Sequence, residues 1–168
     1  MQLTVFQKMI ALLGELCYQN NRECDKPCKM ACRTLTSSWG NEDTQTLIDI
    51  LAKYNVKTTF FVVGDWAEKY PESVKALHDA GHEVMSHSSH HDHYNSLSAE
   101  QIVADVQASC AKIETVTGEC PTLIRCPYGE YDDHVISAIR SIGMEPIQWS
   151  VEQGVTASSP VISTVCGL

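Results

Sequence analysis

His87-Ser88-Ser89-His90-His91 sets two histidines, His87 and His91, four residues apart, with a hydroxyl residue directly after the first. Neutral imidazole is a ligand for borderline divalent metals such as zinc. Two imidazoles one helical turn apart, or on one tight loop, can grip an ion from the same side. The preceding Gly81-His82-Glu83-Val84-Met85 reads as a short buried strand. Strand ends are where barrel and α/β enzymes place their chemistry. Spacing alone leaves two readings open, a metal site and a solvated polar loop.

The elements that must position this pair follow from apolar periodicity and stop signals. Lys29 to Leu35 is a weakly patterned first strand. Glu42 to Tyr54 has helical spacing of Leu47, Ile48, Ile50 and Leu51, with Asn41 as its cap and Asn55 as its end. Thr58 to Val63 is a β-branched and aromatic run closed by Gly64, hence a buried strand. Asp65 to Ala80 is read as one helix stopped by Gly81. His82 to Ser86 is the third strand. Ser98 opens a helix with Glu100 and Gln101 in its first turn and the stripe Ile102, Val103, Val106, Ile113 and Val116, ended by Gly118. Thr122 to Cys126, Asp132 to Ile142 and Glu145 to Val151 complete a strand, a helix and a fifth strand. Strands alternating with helices mean parallel βα units. The alternation stops near Val151, and no clear sixth strand is read after it.

The chain has 168 residues, 43% of them hydrophobic, so one domain with a packed core is expected. Twelve Lys and Arg against 21 Asp and Glu give a net charge of −9. Without a basic stripe, nucleic acid is not an expected partner. Residues 1 to 17 lack a basic start and are too short for a membrane span, so an amphipathic helix is expected there. Eight cysteines form no Cys-x-x-Cys pair, and Cys24, Cys28 and Cys32 at steps of four match no common metal pattern. Mostly free thiols are the expectation.

Several segments together resemble one family. They are Asn55-Val56-Lys57-Thr58-Thr59-Phe60-Phe61-Val62-Val63-Gly64, Gly81-His82-Glu83-Val84-Met85-Ser86-His87-Ser88, Thr117-Gly118 and Arg125-Cys126-Pro127-Tyr128-Gly129. In that order they are similar to polysaccharide deacetylases with a NodB-homology domain, carbohydrate esterase family 4, and most of all to its sporulation-associated bacterial branch. The resemblance runs from about Lys29 to Val151. It implies an α/β fold, an incomplete distorted (β/α) barrel of about five parallel βα units lacking the last strand or strands. Residues 1–28 would then be an extension and 29–168 the domain. It implies Zn2+ or another divalent metal held by His87 and His91, with His90 and His93 as solvated bystanders. It gives Arg125 the task of orienting a catalytic aspartate, and the backbone N–H at Tyr128 that of holding an oxyanion.

The first family motif departs from the pattern. Thr34-Leu35-Thr36-Ser37-Ser38-Trp39-Gly40 keeps the Trp-Gly register, which puts Thr36 at the position of the catalytic aspartate and Ser37 at that of the metal aspartate. A threonine hydroxyl is a poor general base, and losing such a base typically costs ~10²–10⁴-fold in rate. Gln148-Trp149-Ser150-Val151-Glu152 offers only Glu152 as a carboxylate, and the family's final Leu-x-His is absent. Asp43, Asp65, Asp92 and Glu152 are the conceivable stand-ins. The expected activity is therefore an impaired, metal-dependent hydrolysis of N-acetyl groups on peptidoglycan or chitin-type sugars. The alternative is a degenerate carbohydrate-binding or scaffolding relative. The expected partner is an acetylated amino-sugar polymer or oligosaccharide. A homo-oligomer, a partner chain or the amino-terminal segment would cover open sheet edges.

Overall fold

The computed structural model describes residues 32–35, 41, 44–53, 55, 57–148 and 162–163, with side chains described for all but 32–35 and 162–163. Thr36, Ser37, Asp43 and Glu152 lie outside the described residues, as do the helix expected over the first 17 residues and the chain after Gln148 except for 162–163.

Phe60, Phe61 and Val62 are β-branched or aromatic and almost wholly buried, which places strand β2 (Thr59–Val62) in the centre of the sheet. It pairs in parallel with β1 (Cys32–Leu35) on one side and with β3 (Glu83–Ser86) on the other. β4 (Leu123–Ile124) and β5 (Glu145–Pro146) extend the same parallel sheet. The spatial order of the five parallel strands is thus their chain order. Helix α1 (Thr44–Lys53) links β1 to β2, and α2 (Gly64–Lys69) and α3 (Pro71–Asp79) link β2 to β3. Helix α4 (Ala99–Thr117) crosses from β3 to β4, and α5 (Asp133–Ser141) from β4 to β5. Parallel neighbours need such crossovers, because a tight turn cannot reverse the chain twice.

Two apolar clusters hold the helices to the sheet. One joins Leu47, Phe60, Val62, Trp66, Leu77 and Ile113, and the other Tyr94, Ile102, Val106, Ile124, Val135 and Ile139. Each fully buried side chain of this size contributes about 1.5–3 kcal/mol. Period-two alternation sends Phe61 away from the first cluster and against the Arg125 guanidinium, 4.4 Å from its ring centroid.

Helix ends follow the stop and start signals closely. Ser98 and Gln101 form a reciprocal capping box on α4, and Gly118 closes it in the left-handed region at φ 76°. Asp132 caps α5 through the Val135 N–H. Asn55 ends α1 at φ 52°. Asn41, read as a side-chain cap, instead accepts the Thr44 N–H through its backbone carbonyl and donates its amide to Glu72.

Three expectations are corrected. The single helix over 65–80 is two helices broken at Tyr70, because Pro71 has no N–H to donate and bars its predecessor from helical geometry. The fourth strand is two residues long, shorter than 122–126 suggests, and among the described residues the fifth covers Glu145–Pro146, where Pro146 removes a ladder donor, while 149–151 lie outside them. A sixth strand does exist: β6 (Ile162–Ser163) runs antiparallel on the β1 edge, pairing Cys32 with Ser163 and Arg33 with Ile162. Two residues carry too little periodicity to be seen in a sequence, and this later segment, not one of the expected coverings, shields that part of the edge. Among the described side chains Cys110, Cys120 and Cys126 are free thiols. Among the described residues no helix is long and apolar enough to cross a membrane.

Candidate functional site

His87 is the residue after β3, and its N–H continues the sheet ladder to the Val62 carbonyl at 2.8 Å. That rung fixes the backbone. The ring is fixed from the other side, where Nδ1 lies 2.7 Å from the Arg125 carbonyl. A carbonyl only accepts, so Nδ1 carries the proton and Nε2 keeps a bare lone pair. The side chain is 4% exposed. Burial pulls its pKa down to about 3, with the His91 and Arg125 charges pulling the same way and the carbonyl bond opposing. His87 is thus a neutral imidazole near neutral pH, with its ligand nitrogen free. Metal-binding histidines are held in this way, with the second nitrogen donated to a carbonyl or carboxylate.

The loop beyond is gripped along its backbone. The Gly64 and Asp65 N–H groups, unused at the start of α2, donate to the Ser88 and Ser89 carbonyls at 2.9 and 3.0 Å. Gly64 makes that approach possible, since a Cβ there would sit 3.2 Å from the Cα atoms of both Ser89 and Ser109. The Ser88 hydroxyl accepts the His91 N–H at 2.8 Å. The Ser89 N–H donates to Asp105 Oδ2 at 2.9 Å, and the Tyr94 hydroxyl donates to the same oxygen at 2.7 Å. Burial and then Asp105 hold the Tyr94 phenol well above its usual range.

These holds bring the His91 ring to 4.9 Å from that of His87, centroid to centroid and nearly edge-on. Burial lowers the His91 pKa as well. On its other side the His91 ring meets Tyr128, edge to face at 4.7 Å. Tyr128 lies in the one-turn helix Pro127–Gly129 and is more than half exposed. Its own backbone is left-handed within that turn, at φ 55° and ψ 7°. Gln148 braces the turn by donating to the Gly129 carbonyl.

Among the described non-glycine residues four have positive φ, and three of them, Ser88, His91 and Tyr128, are in this site. Left-handed backbone costs an L-residue roughly 1–2 kcal/mol. Such strain collects where a fold over-determines a functional geometry.

The structure thus brings His87, His91, Arg125 and Tyr128 together. Arg125 is 2% exposed, its carbonyl on His87 and its guanidinium over Phe61. Thr36 and Ser37 are outside the described residues. Among the described residues no three His, Cys, Asp or Glu side chains converge as a metal group. Two neutral imidazoles fit two of the three protein positions that a catalytic zinc normally takes.

Of the candidate stand-ins, Asp65 is engaged by His90 at 2.9 Å and by Lys112 at 2.8 Å, which together hold its carboxyl below the usual range. Asp92 is exposed. His90 is more than half exposed, as a bystander should be, although it pairs with Asp65. His93 does more than expected: its ring stacks on Tyr128 at 3.9 Å and 11°, and Nδ1 meets Glu130 at 2.8 Å. Glu130 also accepts the Asn95 N–H, tying the loop after β3 to the turn after β4. Spacing leaves Asp105 unmarked, yet a signal was there: it occupies a position in the buried stripe of α4 between Ile102 and Val106.

The profile of the polysaccharide deacetylase family matches residues 25–147. Chitin deacetylase 1 of Cryptococcus neoformans is 36% identical over 107 residues, 64% of this chain and 23% of that protein. The peptidoglycan-N-acetylmuramic acid deacetylase PdaA of Bacillus subtilis is 29% identical over 119 residues, 70% of this chain and 45% of that protein. The chain therefore spans less than half the length of these curated relatives. Among solved structures, a carbohydrate esterase family 4 pseudoenzyme from Bacillus anthracis superposes with a TM-score of 0.68 at 31% identity, over 74% of this chain and 44% of that one. A mutant of that pseudoenzyme with restored enzymatic activity superposes equally well. A strand order that follows the chain, the loop and turn motifs in sequence, and these matches agree: the chain belongs to the polysaccharide deacetylase family, carbohydrate esterase family 4, with an α/β fold of the NodB type.

Proposed function

We propose that this chain is a metal-dependent deacetylase of N-acetylated amino-sugar polymers, of the peptidoglycan or chitin type, with low turnover. The tautomer of His87 carries the reading: a buried imidazole is locked by the Arg125 carbonyl with Nε2 bare and its ring against His91. His87 and His91 would hold Zn2+ or another divalent ion. When bound there, the ion supplies Lewis-acid polarisation of the acetyl carbonyl and a more acidic water. The chain's own residues set the rest. The Tyr128 N–H would donate to the oxyanion of the tetrahedral intermediate. The exposed Tyr128 ring, backed by His93, offers a flat face to a sugar. By the family's pattern Arg125 would orient the group at the catalytic position, where the sequence has Thr36 and Ser37 in place of carboxylates.

A second reading, a carbohydrate-binding or scaffolding relative without turnover, rests on that same pair of neutral residues. Acetate release from chitooligosaccharides, measured beside metal content, separates the two. Thr36→Asp, alone or with Ser37→Asp, is expected to raise acetate release by ~10²–10⁴-fold, the range that a general base supplies. Vigorous release by the unaltered chain that persists in His87→Ala would sink the proposed site. Bound metal with no release in any of these variants would favour the scaffolding reading.

A further inference from the structure

Asp105 is the one acidic side chain that α4 buries among its apolar contacts, 9% exposed between Ile102 and Val106. Its Oδ2 accepts two hydrogen bonds, from the Ser89 N–H at 2.9 Å and from the Tyr94 hydroxyl at 2.7 Å. Its Oδ1 is buried with no protein partner among the described residues. An oxygen left unsatisfied in this way carries a desolvation cost. A buried acid kept under that cost is holding something in place. What it holds is the middle of the ligand loop, since Ser89 lies between His87 and His91.

The other hydrogen bonds to the loop backbone come from backbone groups or from its own Ser88 hydroxyl: the Val62 carbonyl accepts the His87 N–H, the Gly64 and Asp65 N–H groups donate to the two serine carbonyls, and the Ser88 hydroxyl accepts the His91 N–H. Each keeps the loop near the sheet. Among the described residues Asp105 is the side chain that hydrogen-bonds the loop from the neighbouring crossover helix, and the N–H it meets, that of Ser89, is buried. That bond lies between two left-handed L-residues, Ser88 at φ 70° and His91 at φ 64°.

We infer that Asp105 is a positioning residue for the His87–His91 pair, fixing the loop through the Ser89 N–H so that both imidazoles face one ion. The inference rests on the metal-site reading above. Supports behind metal ligands typically matter ~10–100-fold in metal affinity, and Asp105→Ala is expected to weaken zinc binding within that range. Asp105→Asn keeps an acceptor, but a neutral amide accepts less strongly than a carboxylate, so it is expected to fall between alanine and the unaltered chain. Tyr94→Phe removes the other bond to the same oxygen and leaves Ser89 held. It is expected to lower Tm while zinc affinity stays at the unaltered value.

The test is zinc affinity of the full chain, by competition with a chromophoric chelator well below each variant's Tm. The cobalt(II) absorption spectrum serves as a second readout of ligand geometry. Asp105→Ala binding zinc as tightly as the unaltered chain would overturn the inference. So would Tyr94→Phe weakening zinc as much as Asp105→Ala, since the carboxylate would then matter only through stability. If Asp105→Ala does not fold, Asp105→Asn against Tyr94→Phe decides, and equal zinc affinities overturn the inference. No zinc binding by the unaltered chain overturns the metal-site reading and this inference with it, in an arm that reads separately from the variants.

Discussion

Strand β3 has a buried histidine at each end, and the two are equally hidden: His82 before it and His87 after it are each 4% exposed. Burial lowers the pKa of both. Their hydrogen bonds run in opposite senses. At His82 the Thr58 N–H donates to Nδ1 at 3.3 Å, so the proton resides on Nε2 and the ring has no lone pair left for an ion. At His87 the ring donates to a carbonyl, and Nε2 is left bare. Burial and neutrality are therefore shared by both residues, and the direction of one backbone hydrogen bond separates a packed core histidine from one with a lone pair free for an ion. The C-terminal end of the strand, where barrel chemistry gathers, is the end whose histidine keeps Nε2 bare.

The largest effect that can break this contrast is on metal affinity. His87→Ala should weaken zinc binding by more than the roughly 10–100-fold that losing a mere support costs. His82→Ala should leave zinc affinity unchanged. It should lower stability by about 1–3 kcal/mol, because the Thr58 N–H is left buried without its acceptor and the edge contact with Phe60 is lost. Chelator competition and denaturant unfolding read the two quantities. Loss of zinc in the His82 variant at full stability would reverse the assignment.

Acid is the next way to probe the pair. The unfolded chain takes up a proton on each histidine near the ordinary value of 6.5, whereas folded His87 resists it down to about 3. Between those values the unfolded state binds more protons, so stability rises with pH. The contribution is complete above 6.5 and is lost as pH falls toward 3. The slope approaches about 1.4 kcal/mol per pH unit for one such group. Metal-free His87→Leu should lose this part of the slope, and His82→Leu a part of the same sign. A His87→Leu profile parallel to that of the unaltered chain over this range would show that His87 is not buried in its neutral form.

Much of the framework behind the contrast is legible in the chain. The Thr59–Val62 strand, the Ser98–Gln101 capping box and the glycine stops at 81 and 118 are local signals, and local signals survive folding. His87, His91, Arg125 and Tyr128 are visible because they fall in motifs with fixed spacing. What spacing cannot show is which backbone group meets a ring. The Thr58 and Arg125 contacts to the two histidines bridge 24 and 38 residues. Asp105 reads as an ordinary helical acid until the Ser89 N–H is found beside it, 16 residues away. His93 reads as solvated until the turn at Tyr128 arrives beneath it. The break before α3 has a local signal in Pro71, which the single-helix reading of 65–80 passes over.

The smallest effect concerns how the two ends of β3 turn. Before the strand, Gly81 takes φ 79° at no steric cost. After it, Ser88 takes φ 70° as an L-residue and uses its hydroxyl to hold the His91 N–H. Gly81→Ala forces a Cβ into the left-handed region and within 3.1 Å of Lys57 Nζ, whose flexible end can move, so the backbone term should dominate at about 1–2 kcal/mol. Ser88→Gly relieves a similar strain but removes a hydrogen bond worth about 0.5–1.5 kcal/mol and adds backbone entropy to the unfolded chain. These terms oppose one another, so the net change in unfolding free energy should be smaller than for Gly81→Ala. Hydrogen exchange at the His91 amide should nevertheless accelerate. Equal destabilisation by both variants would mean that the hydroxyl outweighs the strain, and that Ser88 is there for stability before geometry.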